Sequence, residues 1–239
     1  MTAAAQATAP SRQMPLDGIP EYLSKTYSWA YLSRRTLRWL DRPSVVSAIL
    51  WGNAHRLMQS SVGHFSPGER VLQAACVYGY YTPLLAQRIG RHGQLTVTDV
   101  AAVQLENLAP KVAGLPQVRL HRGDLSRGET GVDGGSMDAV ACFFLLHEVP
   151  TDHRRRVVES LLKVVRVGGR VVFTDYHRMA PWHPLRPIMA AVFRLLEPYA
   201  NSLLDQDFMS ICPLCRSFTF EKRTLFGGLY QEIVATRLR

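Results

Sequence analysis

The chain's 239 residues predict an α/β domain built on a mostly parallel seven-stranded sheet, with helices before it and an antiparallel hairpin at its C-terminal end. Three observations carry this. From residue 69 onward, short apolar runs alternate with runs of helical period, and such alternation places a parallel sheet between two layers of helices. One run, MDAVACFFLLH at 137–147, is apolar almost throughout, as a strand covered on both faces must be. The closing segment reads FTFEKRTLF, Gly227-Gly228, LYQEIVATRL, two strand patterns split by a double glycine that suits a hairpin turn.

Residues 1–19 read as a disordered leader. The stretch MTAAAQATAPSRQMPL is small and polar, without the apolar segment of a secretion signal, so the chain is expected in the cytoplasm. Two helices follow, over 20–41 and 44–62, forming a lid that faces substrate or membrane. In the second, Val46, Ile49, Leu50, Ala54, Leu57 and Met58 fall on one stripe, and Asp41 before Arg42-Pro43 is a start signal. The cofactor-binding domain then spans 63–239. ERVLQAA is its first strand, and TPLLAQRIG is a helix closed by Gly90. QLTVTDV, QVRLHRGD and MDAVACFFLLH are the next strands; HRRRVVESLLKVV is a helix ended by Gly168-Gly169, and RVVFTD is the fifth strand. Residues 178–210 are an insertion with prolines at its start and then an apolar stripe through Ile188, Met189, Ala191, Val192, Leu195 and Leu196. With Trp182 and Phe193 it is expected to roof an apolar pocket.

Composition excludes several classes of function. Apolar residues at 47% and charged residues at 20% suit a globular domain with a full core, and no run of eighteen apolar residues offers a membrane span. The net charge of +9 comes almost wholly from arginine and suits an anionic surface. Segment 22–42, YLSKTYSWAYLSRRTLRWLDR, mixes basic and aromatic residues as a helix at a membrane–water boundary does, or as a helix packed with its charges outward. No separate nucleic-acid-binding module is visible. Cys212 and Cys215 form a CxxC, but without two further ligands at matched spacing they read as a turn with two thiols.

In an open parallel sheet, ligands gather beyond the carboxyl ends of the strands. That rule selects a short set. Asp99, with Val100, ends the second strand where an acid binds ribose hydroxyls; Asp124, with Leu125, follows the third. Both point to an adenosine-type cofactor. The loop after the first strand departs from the usual acid and glycines, with Gln73, Ala75 and Val77 in their places and only Gly79 kept. Added bulk there displaces one end of a cofactor, and Tyr78, Tyr80 and Tyr81 bring phenols to the same end. Beyond the fourth and fifth strands lie His147, Glu148, Asp175, Tyr176 and His177. Imidazole with carboxylate suits acid–base work or a divalent metal such as Mn²⁺, with His147, Asp175 and His177 as the candidate ligands. Tyr78, Tyr81, Asp175, Tyr176 and His177 are the candidate catalytic residues.

HEVP at 147–150 and VGGRVVFTDYH at 167–177 resemble the quinone-modifying branch of class I S-adenosylmethionine (SAM)-dependent methyltransferases. LQAACVYGYYT at 72–82, together with WGNAHRLM at 51–58, is similar more narrowly to the RquA family of rhodoquinone biosynthesis proteins. The resemblance implies a Rossmann-like class I methyltransferase fold. It also implies conversion of ubiquinone to rhodoquinone, in which a ring methoxy group is replaced by an amine, with SAM as amino donor and Mn²⁺ required. A substrate with an isoprenoid tail implies residence on the inner-membrane surface, on the cytoplasmic side. Two alternatives stay open: a conventional methyltransferase acting on a quinone or lipophilic phenol, and a non-catalytic SAM-sensing scaffold.

Overall fold

A computed structural model describes residues 19–27 and 34–239. The leader over 1–18 and the centre of the basic-aromatic segment, 28–33, lie outside the described residues. Seven strands form one sheet in the order β3-β2-β1-β4-β5-β7-β6. They are β1 (Arg70–Ala74), β2 (Gln94–Asp99), β3 (Val118–Arg122), β4 (Met137–Phe143), β5 (Val165–Tyr176), β6 (Phe218–Leu225) and β7 (Tyr230–Arg237). The first five run parallel, and β7 pairs antiparallel with both β5 and β6. This is the class I methyltransferase arrangement.

The all-apolar character of β4 has a direct cause. Side chains alternate across a strand, so Ala139, Ala141 and Phe143 enter the core on one face while Val140 and Cys142 enter the core on the other. The first core is completed by helices α4 (Ala54–Val62) and α5 (Tyr81–Ile89), through Leu57, Met58, Leu85 and Ile89. The second is completed by α7 (Thr151–Val164), whose Val157, Val158, Leu161 and Leu162 are buried. Burying those four side chains contributes about 6–12 kcal/mol before entropy is counted. Between β2 and β3 runs α6 (Ala102–Val112).

The N-terminal region is more broken than the sequence pattern predicts. In place of two long helices there are α1 (Glu21–Thr26), α2 (Arg34–Leu40), α3 (Pro43–Ile49) and α4. The break between α3 and α4 falls at Trp51 and Gly52, both with positive φ (53° and 77°), a conformation no helix continues through. Val46, Leu50, Leu57 and Met58 are buried as expected, but Ile49 is exposed. Asp41 does not cap α3. Its carboxylate accepts from the Gly79 N–H, Asn107 Nδ2 and Lys111 Nζ, which ties the α2–α3 corner to the loop beyond β1.

A second correction concerns Gly168-Gly169. The helix before it ends at Val164, and the glycines lie inside β5. A Cβ at Gly169 would sit 2.7 Å from the Asp138 carbonyl oxygen, so glycine lets β5 approach β4 where their register shifts. The 178–210 insertion forms α8 (Arg186–Leu195) and α9 (Ala200–Leu204). Met189 and Phe193 of α8 point inward, while Trp182 is 76% exposed and takes no part in the roof. Cys212 and Cys215 are both buried, Sγ to Sγ 3.4 Å, in the turn before β6. Among the described residues no helix is long and apolar enough to cross a membrane.

Arg154 on α7 is fully buried, and its hydrogen bonds go to neutral acceptors. Its guanidinium donates to the carbonyls of Leu146, Val149 and Tyr199, to Ser202 Oγ and to Gln206 Oε1. Burial lowers its pKa to about 10, so it stays charged at neutral pH, and it binds the turn after β4 to the insertion. Replacement Arg154→Met removes every donor and orphans several buried acceptors; the expected loss is about 3 kcal/mol or more, read from denaturant unfolding.

Candidate functional site

A cavity of about 220 Å³ opens at the carboxyl ends of β1, β2, β4 and β5, closed over by α1, α3 and Glu197 in the turn beyond α8. The loop after β1 forms one wall. Ala75 sits there at φ 65°, a left-handed backbone that costs an alanine roughly 1–2 kcal/mol. It is held by its N–H on the Thr98 carbonyl (2.9 Å) and by the next N–H, of Cys76, on Asp99 Oδ2 (2.8 Å). Val77 and Tyr78 line the cavity. Burial pushes the Tyr78 phenol well above its ordinary range, so it remains protonated, and its oxygen accepts from Gln104 Nε2 (3.3 Å). Gln73 is fully buried behind the loop. Its Nε2 donates to the Ala75 carbonyl (2.9 Å), while its Oε1 has no partner among the described residues.

The adenosine-side residues come together as the strand-end rule requires. Asp99, Val100, Asp124 and Leu125 all line the cavity. Asp99 Oδ1 accepts from the Ala101 N–H and Asp124 Oδ1 from the Ser126 N–H, both at 2.8 Å. Burial raises the pKa of Asp99 against those hydrogen bonds. Gly79, at φ 81°, turns the loop toward Asp41. Tyr81 is a core residue: it stacks on Phe143 at 4.3 Å, and its hydroxyl shares a hydrogen bond with Ser61 Oγ at 2.8 Å.

At the far wall the cavity meets His147, Glu148, Tyr176 and Glu197. His147 and Asp175 are buried together, Nδ1 to Oδ1 2.7 Å. The same carboxylate accepts the N–H groups of Leu146 (2.8 Å), His147 (3.3 Å) and Tyr176 (2.7 Å). His147 Nε2 faces Glu148 Oε1 (3.6 Å) and Glu197 Oε2 (4.0 Å). Burial by itself would lower the His147 pKa, but the charge and hydrogen bond of Asp175, then Glu197 and Glu148, outweigh it and raise the value to about 9. The Tyr27 hydroxyl donates to Glu197 Oε2 (2.8 Å). Ligand atoms of His147, Glu148 and Glu197 lie within 4.8 Å of one another. This set differs from the sequence expectation of His147, Asp175 and His177. Asp175 stands behind His147 and orients it, and His177 Nδ1 donates to the Gly228 carbonyl (3.0 Å) as the chain leaves β5. Glu197 escaped the sequence reading, although it is the first acid after Asp175 in an otherwise acid-free stretch.

Residues 71–169 match a family described as a methyltransferase domain. The chain is 28% identical over 167 residues to a demethylmenaquinone methyltransferase of Staphylococcus epidermidis, covering 69% of this chain and 67% of that one. It is 26% identical over 175 residues to a ubiquinone/menaquinone biosynthesis C-methyltransferase of Ectopseudomonas mendocina, covering 68% and 64%. Among solved structures, the N-methyltransferase NodS of Bradyrhizobium japonicum in complex with S-adenosyl-L-homocysteine superposes with a TM-score of 0.58 at 15% identity, covering 87% of this chain and 94% of that one. That last likeness speaks to the fold. The domain match supports an enzyme of the methyltransferase type.

Two outcomes follow from the geometry. Ala75→Gly relieves the left-handed backbone at some cost in unfolded-state entropy, for a net gain of a few tenths to about 1 kcal/mol, measurable as a higher Tm. The raised His147 pKa means that the folded protein holds a proton which the unfolded chain releases. Its stabilisation is complete below about pH 6.5 and is lost as pH rises through about 9. In metal-free protein, Tm is therefore expected to fall across that window, and His147→Gln to flatten the fall.

Proposed function

We propose that the chain is a SAM-dependent enzyme of quinone biosynthesis that converts ubiquinone to rhodoquinone, exchanging a ring methoxy group for an amine. The loop at 73–79 carries this reading. Asp99 and Asp124 suit an adenosine, so the nucleoside end of SAM fits the cavity. At the methionine end, Ala75 and Val77 add bulk to the cavity wall, while Gln73, expected from the sequence at the cofactor, is buried behind the loop with its amide on the Ala75 carbonyl. A SAM seated there meets no carboxylate at position 73 to hold its ammonium group as a cation. When bound, SAM would supply the nitrogen that enters the ring, with methoxide leaving as methanol and SAM's own C–N bond broken to release the aminoquinone.

The far wall also suits Mn²⁺. His147 Nε2, Glu148 and Glu197 would hold it, with Asp175 fixing the imidazole from behind as carboxylates do behind metal-bound histidines. A cation there would supply Lewis acidity toward a quinone carbonyl. The protein's own groups do the rest. Tyr78, kept as a phenol, presents its ring and hydroxyl at the cavity wall; His147 is held at Nδ1 by Asp175 so that Nε2 is free to ligate; Phe143, Phe144 and Tyr176 exclude water around a flat, apolar ring. Tyr176 and His177 then support the wall rather than touch one another's chemistry. The setting is expected to be cytoplasmic, against the inner-membrane surface.

A second reading is conventional methylation of a quinone or lipophilic phenol, and the relatives' own activities favour it. Mass spectrometry separates the two. Purified protein with Mn²⁺, ubiquinone and SAM labelled at the amino nitrogen is expected to yield a quinone that has lost methoxy and carries the label. A methylated product without nitrogen label, formed from a quinone with a free ring position or from a lipophilic phenol offered in place of ubiquinone, would establish methylation instead. His147→Gln and Glu197→Gln are each expected to lower kcat by about 10²–10⁴ without lowering Tm at pH 9.

A further inference from the structure

The insertion's helix has two apolar sides, and the protein uses one of them. The inner side, Met189 and Phe193, is buried; Phe193 packs edge-on to Tyr176 with ring centroids 5.1 Å apart, and Tyr176 lines the cavity. On the outer flank, Ile188, Ala191 and Leu195 recur at i, i+3 and i+7, a single stripe along a helix. All three are exposed, Leu195 to 72%. Leu196 at the helix end and Trp182 just before it are exposed as well. A helix of this fold has no structural need for that second face.

The charge on the stretch is one-sided. From Tyr176 to Leu196 there is no Asp or Glu, while Arg178, Arg186 and Arg194 are all present and exposed. Arg178 is paired with Asp205; on the helix itself Arg194 is exposed beside the stripe, and Arg186, which donates to the Pro181 carbonyl, is exposed at the N-terminal end. Exposed aliphatic and indole side chains flanked by arginine, with no acid among them, match an anionic lipid surface: the apolar stripe enters the acyl boundary and the guanidinium groups meet phosphate. A second copy of this chain would bring the same arginines against each other, a repulsion that disfavours self-pairing through this face.

We propose that the outer face of α8, with Trp182, docks the protein on an anionic phospholipid bilayer, on the side of the helix away from Tyr176 and the cavity. The purpose of the contact rests on the reading of a quinone substrate, which is dissolved in lipid; the contact itself rests only on the residues named. A single interfacial helix binds reversibly, which suits exchange of substrate and product.

The test is co-sedimentation of the full chain with vesicles of phosphatidylcholine alone and of phosphatidylcholine mixed with phosphatidylglycerol. Binding is expected to the mixed vesicles, weakened by salt and accompanied by a blue shift of tryptophan emission that Trp182→Ser reduces. Trp182→Ser with Leu195→Glu is expected to lower partition by about tenfold or more, and Arg186→Gln with Arg194→Gln to lower it for mixed vesicles only. Because these side chains are exposed, far-UV circular dichroism should match the parent; Ile188→Ser alone provides a milder variant if the double change unfolds. Equal binding by parent and variants, no binding to either vesicle, or a dimer that Leu195→Glu dissociates would each overturn the proposal. Turnover of a short-tailed, water-soluble quinone, measured without vesicles, tests the enzymatic reading separately: failure there leaves the vesicle result standing, and the reverse holds too.

Discussion

The carboxylate of Asp175 organises the end of the sheet. It sits where β5 stops, almost out of water, and its two oxygens accept three backbone N–H groups and the imidazole of His147. A charge so deeply placed is tolerable only when every lone pair is met by a donor, and the donors come from two chain segments that the sheet alone would not join. The turn after β4 is thereby drawn against β5, His147 is set in one orientation, and its Nε2 is turned toward the cavity. Arg154 works on the same turn from below, with its donors on the carbonyls of Leu146 and Val149. One anion takes the N–H groups of the turn and one cation takes its carbonyls. Between them a short irregular stretch becomes as firmly placed as a strand.

This arrangement explains which parts of the molecule were readable beforehand. The strands, the hairpin and the strand-end acids follow from local period and from the geometry of parallel sheets, which a sequence displays directly. The same periodicity misled where its phase outlasted the helix: Leu50 and Ala54 are four apart and stay on one stripe, although Trp51 and Gly52 break the backbone between them. It misled again at His177, since the rule that alternate residues share a face ends where β5 ends, at Tyr176. Glu197 and Tyr27 could not be paired from the sequence, because 170 residues separate them and only the packing of the insertion against the first helix brings them together.

The loop after β1 shows how a fold can be retained while its usual residues are not. Glycine is favoured at a left-handed position because it avoids a steric penalty, not because the backbone requires it. Here an alanine occupies that conformation, with the Ala75 and Cys76 N–H groups donating to the Thr98 carbonyl and the Asp99 carboxylate to hold the turn. The loop thus keeps its path while its surface toward the cavity becomes bulkier through Ala75 and Val77.

Glu197 has two attachments with different consequences. Its carboxylate receives the hydroxyl of Tyr27, which seats the first helix across the mouth, and it also faces His147. Any cation or proton arriving at that carboxylate competes for the oxygen on which the tyrosine rests. Filling the interior and fastening the outermost helix are therefore thermodynamically linked through one side chain, so the shutter over the chamber registers what has been loaded beneath it.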